Sequence, residues 1–281
     1  MDKKTWRYYN HAMIPTTFPH EEADTDYINS KAFWQDNKHA LLARWTSDFD
    51  CGYETSWWYV IKDSPFDLSA IKAKRRYVIN QGIKNFDVHV IEPMSYVDEL
   101  YEISVAGFSS RPKKYRPDFT RTDAEELAKS LSDNSSMICY GAFFRETGDL
   151  CGFIYVRESD YHIELKVQRV NPKYEKYQIN AALVYALLTD RQTKLESGSF
   201  YILDGARTIY HETKFQDYLE KYFGFRKAYC KLHIVYNSKI KWIIYALYPF
   251  RKILNKFNQI GLVHQLNPIL KMEEICRSEK I

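Results

Sequence analysis

Between Met137 and Val170 the hydrophobic positions fall into three extended runs, 137–146, 151–159 and 161–170, separated by a Thr-Gly-Asp turn and a short polar break. That pattern predicts three consecutive antiparallel strands. The polar loop Asn171–Gln178 follows, and residues 179–194 then carry apolar positions at helical spacing. A strand over 199–208, a helix over 211–223 that stops at Gly224, and a strand over 225–237 complete this half. Upstream, residues 40–45 and 56–61 have the composition of short strands, and the polar stretch 46–55 between them predicts a hairpin connection. Ser64 or Asp67 can cap a helix that runs to about Gln81 and stops at Gly82. Residues 86–93 alternate as a strand up to Pro93, and residues 95–110 return to helical spacing. The segment 112–123 is turn-rich, and a helix begins at Thr122 with acids in its first turn. Residues 242–257 predict a helix with one apolar face, kinked or split at Pro249. Residues 1–50 show no clear period, and Asn267–Ile281 is expected to fray.

The order strand–strand–strand–loop–helix–strand–helix–strand is that of an α/β fold. The 281 residues suffice for one full domain plus a reduced lobe. The division expected is an N-terminal lobe at 1–110, a core at 111–240 and a basic, aromatic helical extension at 241–281. A mean hydropathy of −0.49 and the lack of a run of about 20 apolar residues argue against a membrane span. The first fifteen residues carry no apolar signal region, and the five cysteines form no CxxC pair, which favours a reducing, cytoplasmic compartment.

Charge changes the picture. The chain is +4 overall, yet no Asp or Glu occurs from Lys221 to Met272, a stretch with ten lysines and arginines. A block of one sign in an otherwise acidic chain suits an anionic partner such as phosphate, nucleic acid or a lipid surface. It equally suits a face whose charges pair with acids elsewhere. Residues 242–257 combine Trp242, Tyr245, Tyr248 and Phe250 with Arg251, Lys252 and Lys256. That mixture predicts contact with an anionic membrane, at the inner face of the cell membrane, or a helix that packs on the domain and snorkels its lysines.

The stretch from His162 to Leu188, then residues 200–205 and 215–229, resembles the GNAT superfamily of acyl-CoA N-acyltransferases. Val170-Asn171-Pro172 matches the family's turn after its central strand, and Tyr222-Phe223-Gly224-Phe225 matches the end of its later helix. The resemblance implies a mixed, mostly antiparallel sheet flanked by helices and an acyl-CoA co-substrate, with acetyl-CoA as the simplest case. It places the donor's pyrophosphate at Val170, Lys173, Glu175, Lys176, Tyr177, Gln178, Ile179 and Asn180, on a helix N-terminus. Gln178 and Asn180 stand where the family has glycines. The chain also resembles FemAB-type transferases, which share the fold, lack the glycine loop and commonly take an aminoacyl-tRNA. Lys221-Tyr222-Phe223-Gly224 and the basic stretch 70–82 carry that likeness.

The resemblance implies Glu164 as a general base that takes a proton from an attacking amine, and Tyr218 or Tyr222 as the acid that protonates the leaving group. Strict alternation would put Glu164, Lys166 and Gln168 on one strand face and Ile163, Leu165 and Val167 on the other. A surface Glu–Lys pair explains Glu164 equally well. Lys173 and Lys176 can complement phosphate, and His211 can shuttle protons near neutral pH. Three functions remain open on the sequence: acyl transfer from acyl-CoA to the amine of a small metabolite or amino sugar, aminoacyl transfer from tRNA, and a scaffold that has lost catalysis. None of them calls for a metal, since the histidines lack ligand spacing.

Overall fold

The computed structural model describes residues 5–110, 113, 116–209 and 214–278. The chain forms two compact units: residues 1–59, 206–213 and 227–281 make the first, and residues 60–205 and 214–226 the second. This is a different division from the one read along the sequence. The cause is a strand that returns late in the chain to pair near its start.

In the first unit, β1 (Trp6–Tyr9) and β2 (Ala12–Pro15) form a hairpin whose two turn residues, Asn10 and His11, both have positive φ. Such a turn matches the right-handed twist of the strands it joins. The helix α1 (Lys31–Asp36) follows, with the Ser30 hydroxyl accepting from the Phe33 N–H. β3 (Leu42–Ser47) pairs parallel with β2 and antiparallel with β10 (Arg226–Tyr236). With both its edges taken, β3 cannot form the expected hairpin with β4 (Trp57–Lys62), the strand that carries the chain into the second unit.

The second unit opens with α2 (Ala73–Asn85), preceded by a separate 3-10 turn at Leu68–Ala70 that Asp67 caps. The expected helix is therefore displaced, and Gly82 lies inside it. β5 (Phe86–Val90) and α3 (Val97–Ser109) come next. α4 (Arg121–Ser132) starts at a capping box formed by Thr120 and Asp123. β6 (Met137–Phe144), β7 (Leu150–Glu158) and β8 (His162–Val170) form the expected antiparallel series, and β5 pairs antiparallel with β6. Adjacent residues on β6 face different helix layers. Cys139 is buried with Ile103 and Ala128 of α3 and α4, whereas Tyr140 donates its hydroxyl to Asp190 of α5 (Ile179–Asp190) at 2.5 Å. A short α6 (Gln192–Glu196) leads to β9 (Tyr201–Ala206), which pairs parallel with β8. α7 (Lys214–Phe223) ends at Gly224, whose φ of +67° no side chain adopts cheaply. The sheet pairing is thus mixed and mostly antiparallel, with helices on the second unit's two faces.

The C-terminal segment belongs to the first unit. Pro249 splits the expected helix into α8 (Ser238–Leu247) and α9 (Arg251–Asn255), joined by a 3-10 turn at Tyr248–Phe250. The expected frayed tail is instead α10 (Gly261–Ser278), and Ile269, Leu270, Met272, Ile275 and Cys276 are buried in the core with Leu232 and Trp57. Glu273, also buried, accepts a 2.9 Å bond from the Tyr236 hydroxyl and a 2.7 Å contact from Arg277. A buried charge is stable only when partnered in this way. The apolar spacing in 267–278 carries the signal for this helix; the charged side chains that read as a tail are its anchors.

Candidate functional site at the parting of two parallel strands

β8 and β9 pair over His162↔Tyr201, Ile163↔Ile202 and Glu164↔Leu203, and β8 then continues six residues to Val170. Against β7 the register jumps from Val156↔Leu165 to Tyr155↔Val167, so Lys166 is an extra residue: a bulge. Bulges re-aim side chains and occur beside active sites. Here the bulge falls two residues past the last β8–β9 pair. It also corrects the strict alternation expected for this strand. Ile163 and Leu165 are buried, but Val167 is only half-buried.

Glu164 sits at the parting point. It contacts Arg157 Nη2 at 2.8 Å and Lys166 Nζ at 2.6 Å. Two cations therefore hold it as the centre of a three-membered ion cluster. Asp204, the residue after Leu203 on β9, has different surroundings. Burial raises its carboxyl above the usual carboxylate range, and a hydrogen bond to Gln216 of α7 offsets part of that rise. A carboxylate shifted upward by desolvation is a better proton acceptor near neutral pH than one fixed by cations. Asp204-Gly205 shows in the sequence only as a strand end, so the pattern gave no reason to single it out.

On α7, Tyr218 lies 4.7 Å from Tyr222 and 5.6 Å from Phe223, ring centre to ring centre. Burial, and secondarily Tyr222, push the Tyr218 hydroxyl well above the ordinary phenol range, so it keeps its proton. His211 lies outside the described residues.

The loop before α5 is closed on itself. Pro172–Tyr177 is a 3-10 turn capped by Asn171, which accepts from Lys173 N–H through its side chain and from Tyr174 N–H through its carbonyl. Gln178 N–H bonds Glu175 O, and Ala181 and Ala182 N–H both bond Gln178 O. Gln178 takes φ +67°, the left-handed conformation that a glycine would supply elsewhere. Asn180 Oδ1 is occupied by Gln168 Nε2 at 2.6 Å. Lys173 and Lys176 lie over the rings of Tyr174 and Tyr177, at 5.2 and 4.9 Å. Tyr174 and Ile179 are buried, Val170 and Tyr177 half-buried, and Glu175 exposed. The first turn of α5 is also covered. α2 crosses it at Gly82, where an added Cβ would stand 2.7 Å from Gln178 O and 2.9 Å from Ala182 N. Phe66 stands between Tyr185 of α5 and Phe223 of α7, 6.1 and 5.7 Å from each ring. Two of the amides that could form an anion cradle here, those of Gln178 and Ala181, are thus spent on the turn's own carbonyls, and α2 covers the turn at Gly82.

The basic stretch in α2 is partly spent as well. Arg75 donates to Lys221 O at the end of α7, and Arg76 to Ser69 O. Lys62, buried on β4, donates to Ser64 Oγ at 2.7 Å and Pro65 O at 3.2 Å, and burial lowers its pKa. It was not visible as special in the sequence. A cavity of about 440 Å³ lies between β5 and α5, lined among others by His89, Tyr140, Arg145, Tyr185 and Asp190.

No protein-family model and no curated protein matches the sequence. Among solved structures, L-PGS from Bacillus licheniformis aligns with a TM-score of 0.50 at 16% identity, over 85% of this chain and 82% of that one. The C-terminal domain (DUF2156) of a putative lysylphosphatidylglycerol synthetase from Agrobacterium fabrum gives 0.49 at 13% identity, over 83% and 80%. The PaiA N-acetyltransferase from Thermoplasma acidophilum, in complex with coenzyme A, gives 0.32 at 16%, over 38% of this chain and 74% of that one. The fold is of the GNAT type.

Proposed function

We propose that this chain is an acyltransferase whose reaction takes place where β8 and β9 part, and whose donor is an aminoacyl ester of tRNA rather than an acyl-CoA. The observation that carries the choice of donor is the turn before α5: the Gln178 and Ala181 amides bond carbonyls of the turn itself, and α2 packs backbone to backbone against it at Gly82. A CoA pyrophosphate seated on that turn would need those amides free. An aminoacyl ester at a tRNA 3′ end does not need that seat.

In this reading the amine of the acceptor attacks the ester carbonyl. A C–N bond forms and the C–O bond to the tRNA ribose breaks. Asp204 takes the amine proton, which its burial-raised carboxyl favours, and Tyr218 supplies a proton to the departing ribose oxygen. Glu164 with Arg157 and Lys166 fixes the bulge that opens β8 from β9. An amine of a small metabolite or an amino sugar fits the same chemistry as acceptor.

The second reading is transfer from acyl-CoA. The strand parting, the bulge and the tyrosine on α7 serve this donor as well as the first. The test is a pair of titrations of the full chain, one with acetyl-CoA and one with aminoacyl-tRNA at two salt concentrations. Salt-sensitive tRNA binding with no thermal stabilisation by acetyl-CoA supports the first reading. Saturable acetyl-CoA binding that is lost in Lys173→Glu or Lys176→Glu overturns it in favour of the second.

A further inference from the structure

Of the ten cations between Lys221 and Met272, the structure neutralises a subset. Arg226 pairs with Asp63, Lys231 with Asp48 at 3.0 Å, and Arg251 and Lys271 both with Glu274 at 3.0 Å. Lys227 lies 4.4 Å from the Trp58 ring centre. Among the described residues, no ion pair reaches Lys239, Lys241, Lys252 or Lys256. All four lie on or beside α8 and α9, and all four are exposed.

The same segment exposes large apolar side chains. Trp242 is 75% exposed and Leu262 69%, with Phe250, Ile253, Phe257 and Ile260 all near half or above. The helices are nevertheless anchored. Ile244 is fully buried, and Ile240 and Leu247, one turn to either side on the same stripe, pack against the core. Of the four aromatics singled out in the sequence, Tyr248 is half-buried and Tyr245 is exposed, and Arg277 lies 5.4 Å from the Tyr245 ring and 4.0 Å from that of Tyr248, with Arg251 4.2 Å from Tyr248. The other two, Trp242 and Phe250, face solvent. The segment therefore has an inner face that packs and an outer face on which apolar groups alternate with unpaired lysines. Behind α9, a cavity of about 420 Å³ is lined by Arg251, Lys252, His264 and Lys271 with three asparagines, Ile209, Pro268, Leu270 and a single carboxylate, Glu274.

We infer that the outer face of α8, α9 and the start of α10 docks on the surface of an anionic lipid bilayer, and that the cavity beside Lys252 receives a lipid phosphate. A partner protein would have to match both the apolar groups and the uncompensated positive charge. A bilayer interface does so by construction: its headgroups carry the negative charge and its acyl boundary takes the aromatic and aliphatic groups. No described helix is long and apolar enough to cross the membrane, so the contact is peripheral. This inference stands independently of the donor and of the reaction at β8 and β9.

The test is co-sedimentation of the full chain with vesicles of phosphatidylglycerol and phosphatidylcholine, set beside vesicles of phosphatidylcholine alone. The chain should bind the anionic vesicles at low salt, release at high salt, and shift Trp fluorescence to the blue. Lys252→Glu with Lys256→Glu should weaken binding by at least about 20-fold, at about fivefold for each charge removed. Both residues are exposed and unpaired, so the variant should melt like the wild type. Trp242→Ser should abolish most of the blue shift and weaken binding at any salt. Absence of binding to anionic vesicles, or binding that the double variant leaves unchanged, overturns the inference. Failure of the donor titrations leaves it untouched, because the vesicle assay contains no donor.

Discussion

Two regions of this chain carry lysines beside aromatic rings, and the structure treats them in different ways. In the turn before α5, Lys173 and Lys176 lie over Tyr174 and Tyr177, the Gln178 and Ala181 amides bond carbonyls of the turn itself, and α2 covers the first helical turn at Gly82. On α8 and α9, Lys239, Lys252 and Lys256 stand exposed and unpaired between Trp242, Phe250 and Phe257. In composition the two look alike. The first is a folded turn with its polar groups satisfied, whereas the second is a surface with charge and apolar area both uncompensated. Satisfied polar groups hold a fold together; uncompensated ones leave free energy for a partner.

The largest expected effect separates chemistry from docking. Asp204→Asn should lower transfer by about 100-fold or more, with vesicle binding unchanged. Glu164→Gln should lower it less, because Glu164 acts on the bulge through Arg157 and Lys166. If Glu164→Gln is the more damaging of the two in a transfer assay, the roles of the two carboxylates are reversed.

Next is the closure of the turn itself. Gly82→Val would drive a side chain into the backbone at Gln178 and Ala182, and should cost about 3 kcal/mol in a urea titration. A cost below about 0.5 kcal/mol would mean that α2 does not press on α5, and the argument against a pyrophosphate there would fall with it.

The anchoring of the docking surface can be broken from within. Tyr236→Phe leaves the buried Glu273 without one of its donors and should destabilise the chain by about 2 kcal/mol. Because α10 underlies the surface, vesicle binding should fall only under conditions where the chain unfolds.

A pH profile sharpens the contrast further. Asp204 has a raised pKa in the folded chain, so the stability it contributes is fully present below the ordinary carboxylate pKa and is lost as pH rises through the raised value. Asp204→Asn should therefore flatten that loss, and the acid limb of transfer activity, set by ionisation of Asp204, should lie above the ordinary carboxylate range. An acid limb at the ordinary position would remove Asp204 as the base. The smallest effect is that of Thr120→Ala, which deletes the capping box of α4 and should cost about 1 kcal/mol by thermal melting, with no change in either assay.

How legible all this was in the sequence depended on range. The strands β6, β7 and β8, the helix α5 and the stop of α7 at Gly224 follow from alternation, helical spacing and a glycine, all of which act within a few residues. Helix α10 was misread because its charged residues suggest solvent, while their partners, Tyr236 and Arg251 among them, lie far back along the chain. The hairpin expected between β3 and β4 failed for the same reason: β10, nearly two hundred residues later, takes the edge of β3.

By itself, then, the sequence determined the order of elements in the second half, the splitting of the C-terminal helix at Pro249, and the one-signed block of charge. Tertiary structure alone decided which cations stay unpaired, that α2 covers the turn before α5, and that burial raises the Asp204 carboxyl. The reason is physical. Helix and strand signals are local, but desolvation and ion pairing depend on which distant groups are brought within a few ångströms, and that is fixed only when the chain closes.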